Sequence, residues 1–224
     1  FVLGARLNDL GATDGGKAYL ILGANLGAPG EIVGLENADY TFYGEADQGW
    51  VGYQLSGAGD VDGDGLGDLL IGAYGSDDQK GRIYLVMASS IIDPLQSLED
   101  ADVRFVGEYP ADQAGHNISP AGDVDGDERA DVIIGARNHA DRYGAAYLVL
   151  GQSVTGGIHP LADADYIFQG EERYDEAGYS VSAAGDVNRD GLDDLLIAAW
   201  QGNFDSDSAN PGKTYLLLAP GGVE

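Results

Sequence analysis

The chain has 224 residues, 44% of them hydrophobic, with 36 glycines, 13 tyrosines and no cysteine. That is enough for one packed domain, and it excludes disulfides and thiolate metal sites. A formal net charge of −27 excludes nucleic acid and anionic membrane surfaces as partners, because both require clustered Lys and Arg.

In chain order, segments 1–5 and 17–23 read as strands and match the later halves of units that follow. Strands are then predicted over 40–43, 52–58, 68–73 and 82–87. They recur over 103–106, 115–121, 131–136 and 145–150, and again over 166–169, 178–184, 194–199 and 213–218. Segments 68–73, 131–136 and 194–199 are continuous apolar runs, as in strands buried on both faces. Segment 91–100 reads as no more than a short turn. The units recur every 63 residues: Phe42, Phe105 and Phe168 share the phase, as do Gly52, Gly115 and Gly178. Four strands per period and no amphipathic helix predict an all-β fold, a β-propeller built of four-stranded antiparallel blades. The expected organisation is one propeller region over 1–224, with a partial blade at 1–44 and repeats at about 45–107, 108–170 and 171–224. A β-solenoid with nonapeptide calcium repeats is the rival, but it would place acidic turns about every nine residues.

The most informative element is an acidic nonapeptide present three times in that phase. It reads Asp60-Val-Asp62-Gly-Asp64-Gly-Leu66-Gly-Asp68, then Asp123-Val-Asp125-Gly-Asp127-Glu-Arg129-Ala-Asp131, then Asp186-Val-Asn188-Arg-Asp190-Gly-Leu192-Asp-Asp194. Oxygen-bearing side chains at loop positions 1, 3, 5 and 9, with the carbonyl of position 7, suit a hard cation such as Ca²⁺. That ion takes six to eight oxygens at about 2.3–2.6 Å. The expected ligands are therefore the side chains of Asp60, Asp62, Asp64, Asp68, Asp123, Asp125, Asp127, Asp131, Asp186, Asn188, Asp190 and Asp194, and the carbonyls of Leu66, Arg129 and Leu192. An EF-hand fails at position 12, where Ile71, Ile134 and Ile197 stand in place of a bidentate Glu. The bland alternative is a solvated Asp-Gly turn; three in-phase copies with crowded, mutually repelling carboxylates argue for three calcium sites. Glu128 replaces Gly at position 6 of the second loop, and Asn188 and Arg189 weaken the third. The first loop is therefore expected to bind most tightly.

Phe-x-Gly, the following Gly, Gly-Asp-Val-(Asp/Asn)-x-Asp and Asp-Leu-Leu-Ile-Gly-Ala together resemble the FG-GAP repeat of integrin α-subunit propellers. The chain departs from that pattern after Gly-Ala, where Arg6, Tyr74, Arg137 and Trp200 replace Pro. The resemblance implies a seven-bladed propeller with calcium in loops of one face and partners bound on the opposite face. The partner-binding loops would be 74–81, 137–144 and 200–212, with 45–52, 108–115 and 171–178. Trp50, Tyr109, Tyr174, Trp200 and Phe204 fall in them, either as recognition residues or as local caps of strand ends. Fourteen strands are about three and a half blades, so the expectation is part of a longer protein. A four-bladed ring, or assembly with other chains through open blade edges, is the alternative.

The resulting expectation is a noncatalytic, calcium-binding module for adhesion or protein recognition in an extracellular or cell-surface protein. A glycan-binding propeller and an accessory propeller of a secreted hydrolase are the alternatives. His116, His139 and His159 form no recognisable catalytic spacing; His139 with Asp141 is the one conceivable acid–base pair. Membrane insertion is not expected, because no apolar run approaches the ~18–20 residues of a span. The Asn117-Ile-Ser119 sequon lies in a predicted strand.

Overall fold

The computed structural model describes residues 1–44, 46–200 and 212–219. Its strands in chain order are β1 (Val2–Ala5), β2 (Lys17–Leu20), β3 (Tyr40–Tyr43), β4 (Gln54–Gly59), β5 (Asp68–Ala73), β6 (Arg82–Val86), β7 (Leu95–Ser97) and β8 (Val103–Val106). They continue with β9 (Asn117–Gly122), β10 (Asp131–Ala136), β11 (Ala145–Val149), β12 (Gly157–Pro160), β13 (Tyr166–Gln169), β14 (Ala177–Gly185), β15 (Asp194–Ala199) and β16 (Lys213–Leu217). The fold is all-β, a partial β-propeller. Antiparallel meanders β1-β2-β3, β4-β5-β6-β8, β9-β10-β11-β13 and β14-β15-β16 form four successive blades.

Two short strands were not legible beforehand. In segment 91–100, expected to be a turn, β7 pairs in parallel with β3 of the preceding blade. One repeat later β12 does the same to β8. Each is a strap that covers the outer edge of the blade before it, satisfying backbone groups an edge strand would leave open. A single 3-10 turn follows each strap and drops Leu98 or Leu161 into the groove between blades, where both are 1% exposed.

Packing between blades explains the periodic glycines. A Cβ on Gly4 would lie 1.9 Å from the Gly52 carbonyl oxygen, one on Gly72 2.7 Å from that of Gly115, and one on Gly135 2.0 Å from that of Gly178. Backbones of adjacent blades therefore approach through two glycines at each interface. Ala198 occupies the same place in the fourth blade, and no further blade faces it among the described residues. The core sits between the sheets. Leu70, Ile83, Leu85, Phe105, Ile134 and Tyr147 fill the interface of the second and third blades, and Phe42, Ile71, Tyr84 and Leu98 that of the first and second.

Candidate metal centre

Each acidic nonapeptide joins the two inner strands of a blade: β4 to β5, β9 to β10 and β14 to β15. The curl is made by the carboxylates themselves. Asp60 accepts the N–H of Gly63 at 2.8 Å and of Gly65 at 2.9 Å; Asp62 accepts that of Asp64 and Asp64 that of Leu66. Asp123 accepts the N–H groups of Gly126 and Glu128, and Asp127 that of Arg129. These Asx turns aim acidic side chains inward.

Carboxylate oxygens of Asp60, Asp62 and Asp64 lie within 4.8 Å of one another, and so do those of Asp123, Asp125 and Asp131. Two oxygens bound to one ion at about 2.4 Å can stand no further apart than about 4.8 Å, so both clusters fit a shared calcium. The donors are all hard oxygens, which suits Ca²⁺ over softer metals. In the third loop Asp186 and Asp190 repeat the local turns. However, the Asn188 amide donates to Asp190 at 2.8 Å. That hydrogen bond occupies an Asp190 oxygen; Asp62 and Asp125, being carboxylates, have no amide to place on position 5, although Asp125 itself accepts the Gln152 amide.

The position 9 carboxylates do a second job. Asp68, Asp131 and Asp194 are at most 1% exposed. One oxygen of each accepts the N–H of Val61, Val124 or Val187 inside the loop. The other accepts the N–H of Ala88, Gly151 or Ala219, just past the third strand of the blade. A carboxylate has about four lone-pair positions, so this staple leaves room for a metal bond. Burial pushes Asp131 up to about 6 and is reinforced by Asp125 and Asp127, against the two N–H bonds that pull it down. Burial raises Asp68 in the same way.

Adjacent loops are also tied together, which the sequence reading missed. Ala130 donates its N–H to the Asp60 carbonyl at 2.8 Å, and Asp193 donates its N–H to the Asp123 carbonyl at 2.9 Å. The Asp193 carboxylate additionally accepts the Asp123 N–H at 3.0 Å. Position 8 of one loop thus fixes position 1 of the loop before it. Asp39, Asp102 and Asp165 form a further set in phase, accepting the N–H of Leu22, Met87 and Leu150. The same 63-residue interval would have revealed it.

Backbone geometry bears on loop quality. Position 6 is left-handed in all three: Gly65 at φ +86°, Glu128 at +69° and Gly191 at +94°. An L residue there costs on the order of 1 kcal/mol. Glu128→Gly is therefore expected to stabilise the chain by up to about 1 kcal/mol, less the added backbone entropy of the unfolded state. Urea denaturation of the two proteins checks this.

At the opposite ends of the same hairpins lie the loops expected to bind partners. Apart from Glu128 and Arg189, every non-glycine residue with positive φ among the described residues lies on this side, including Asp77, Asp78, Gln79, Ala140, Asp141 and Arg142. Strained backbone of this kind concentrates in functional loops. Trp50 packs on Tyr74 at 5.0 Å, Tyr109 approaches His139 at 5.9 Å, Arg173 covers Tyr174 at 4.8 Å, and Trp200, 55% exposed, approaches Tyr179 at 5.2 Å. Phe204 lies outside the described residues.

His139 does not pair with Asp141. Its Nδ1 lies 3.0 Å from Asp112 and 3.1 Å from the Tyr147 hydroxyl, which donates to Glu108, whereas Asp141 pairs with Arg173. The Asp112 hydrogen bond raises the His139 pKa, against burial. The Asn117 side-chain oxygen accepts the Val181 N–H at 2.7 Å, so the sequon asparagine is spent on a contact between blades.

The FG-GAP repeat family model matches residues 51–86 and 177–217. The chain is 31% identical over 173 residues to integrin alpha pat-2 of Caenorhabditis elegans, covering 71% of this chain and 13% of that protein. It is 30% identical over 175 residues to integrin alpha-5 of Xenopus laevis, with 72% and 16% covered. With human integrin alpha-8 it is 28% identical over 164 residues, with 68% and 14% covered. The chain thus spans 13–16% of the length of these relatives. Repeats, blades and loops agree with the comparisons: the chain belongs to the FG-GAP repeat family, of the integrin α N-terminal-like type.

Proposed function

We propose that this region is a noncatalytic, calcium-binding propeller module of an extracellular or cell-surface protein, with a role in adhesion or protein recognition. The observation that carries the reading is the pair of three-carboxylate clusters, each with oxygens within 4.8 Å, at equivalent hairpin ends of two blades. Calcium would be held by Asp60, Asp62, Asp64 and Asp68 with the Leu66 carbonyl, and by Asp123, Asp125, Asp127 and Asp131 with the Arg129 carbonyl. A weaker third site would use Asp186, Asn188, Asp190 and Asp194 with the Leu192 carbonyl.

When bound, calcium neutralises crowded carboxylates and thereby stabilises the inner hairpins. The chain's own residues do the rest. Position 9 ties each loop to its blade, and position 8 of the second and third loops ties each of them to the loop before it. The partner would dock on the opposite face, through the loops that carry exposed aromatics and strained backbone. Sites tuned to about 10⁻⁴–10⁻³ M calcium, the range of extracellular modules, would suit a location outside the cell. The noncatalytic reading rests on His139, which is buried and engaged by Asp112 and Tyr147.

Calorimetric calcium titration of the parent chain and of Asp60→Ala, Asp123→Ala and Asp186→Ala tests the reading. We expect the tightest binding event to vanish in Asp60→Ala and the weakest in Asp186→Ala. Three equal affinities would contradict the ranking, and no heat at millimolar calcium would contradict the sites.

A further inference from the structure

Two sets of residues 63 apart meet at the mouth of the inner strands, on the face away from the acidic loops. Tyr53 and His116 stand just before β4 and β9, and Tyr179 is the third residue of β14. Tyr74, Arg137 and Trp200 directly follow the second strands, and Arg6 directly follows β1 in the same way. Their rings form one continuous arc. Tyr53 lies 4.5 Å from Tyr74 and 5.5 Å from His116; His116 lies 5.7 Å from Tyr179, and Tyr179 5.2 Å from Trp200.

Guanidiniums are set into this arc. Arg6 lies 5.8 Å from the centre of the Tyr53 ring and Arg137 5.8 Å from that of Tyr179. Neither forms an ion pair among the described residues, whereas Arg142 and Arg173 on the same face are held by Glu176 and Asp141. Arg137 uses its Nε on Gln113, at 2.9 Å. In a chain with 38 acidic and 11 basic residues, two arginines at one mouth without a carboxylate among the described residues call for a partner.

We propose that this arc binds a carboxylate of a partner polypeptide, an Asp or Glu side chain received by Arg6 and Arg137 above the Tyr53, Tyr74 and His116 rings. Arginine offers a planar fork matched to a carboxylate, and the aromatic rim excludes water from the contact. A cationic ligand is disfavoured, because the chain's own guanidiniums hold the positions over Tyr53 and Tyr179. A polyanion is disfavoured by the net charge of −27, which a single carboxylate tolerates. Two further observations agree. The Tyr74 hydroxyl feels both guanidiniums, which oppose the upward shift caused by burial, so it lies in the field of both. Burial, aided by Arg137, pushes His116 down to about 4 and leaves it neutral, with a buried Nδ1 that has no hydrogen-bond partner among the described residues.

The proposal rests on the reading of this face as the partner-binding face. Its test uses the only two tryptophans, Trp50 and Trp200, whose indole N–H signals report on the arc. The whole chain in calcium is titrated with acetyl-Gly-Asp-Gly-amide and with its Asn and Lys counterparts. The Asp peptide is expected to shift the Trp200 signal saturably. The Arg6→Gln/Arg137→Gln variant should weaken that binding by about tenfold, while its melting temperature in calcium stays that of the parent. Equal response to the Asn peptide, or no effect of the double substitution, would overturn carboxylate recognition. Preference for the Lys peptide would overturn it too, yet would leave the face as a docking surface. Silence with all three peptides overturns the proposal, and leaves the calcium sites to their own titration.

Discussion

Asp131→Ala is expected to destabilise the chain by about 3 kcal/mol or more in chelator, where no metal contributes. The carboxylate is 0% exposed and accepts two backbone N–H groups, from Val124 inside the loop and Gly151 beyond β11, each at 2.8 Å. Alanine leaves both donors buried without an acceptor, at about 1–3 kcal/mol each. Asp131→Asn keeps one acceptor oxygen and turns its amide toward the other N–H, so an intermediate loss is expected. Asp125→Ala is the contrast. It lies in the same cluster but is exposed, and its removal relieves repulsion, so in chelator a change within about 0.5 kcal/mol is expected. Urea denaturation of the three variants decides the matter. Equal losses for Asp125→Ala and Asp131→Ala would show that position 9 has no structural role of its own.

Calcium binding at the second loop is expected to weaken about tenfold between pH 7 and pH 5. The Asp131 pKa is raised to about 6 by burial, so the proton competes with the metal below that value. Affinity is full well above pH 6, about half at pH 6, and falls steadily beneath it. Total stability in chelator is a poorer reporter, because two groups oppose each other. A raised Asp131 pKa means that the folded state holds its proton longer, so this residue's contribution is present below an unfolded value of about 3.9 and is lost as pH rises through about 6. His116, lowered to about 4, acts in the other sense: its contribution is present above an unfolded value of about 6.5 and is lost as pH falls. His116 lies at the other end of the hairpin, so calcium affinity isolates the Asp131 effect. Calorimetry at pH 5, 6 and 7 in buffers of differing ionisation heat would reveal the proton released on binding. A pH-independent affinity with no proton release would contradict the role of Asp131.

Legibility in the sequence followed the range of the interactions involved. Strands β5, β10 and β15 begin and end where expected, because each is an uninterrupted apolar run that starts at a position 9 aspartate. Straps β7 and β12 went unseen. Leu95-Gln-Ser and Gly157-Ile-His-Pro have no alternation to read, and their partners lie in the preceding repeat. Spacing within the nonapeptides announced a cation loop and the turns that form it. It could not announce that both oxygens of Asp68, Asp131 and Asp194 already accept N–H groups, one from a segment 20 or 25 residues downstream. The His139 partner Asp112 stands 27 residues away, which is why the adjacent Asp141 looked like the natural companion. The arc of Tyr53, His116 and Tyr179 is periodic in the sequence, but only the closeness of blades makes it one surface.

The most direct measurement is anomalous diffraction from crystals grown in calcium. The account predicts peaks inside the loops that begin at Asp60 and Asp123, each ringed by carboxylate oxygens at about 2.3–2.6 Å, and a weaker peak in the loop that begins at Asp186. Loops without anomalous signal at saturating calcium, with Asp62, Asp64 and Asp125 turned to solvent, would contradict it.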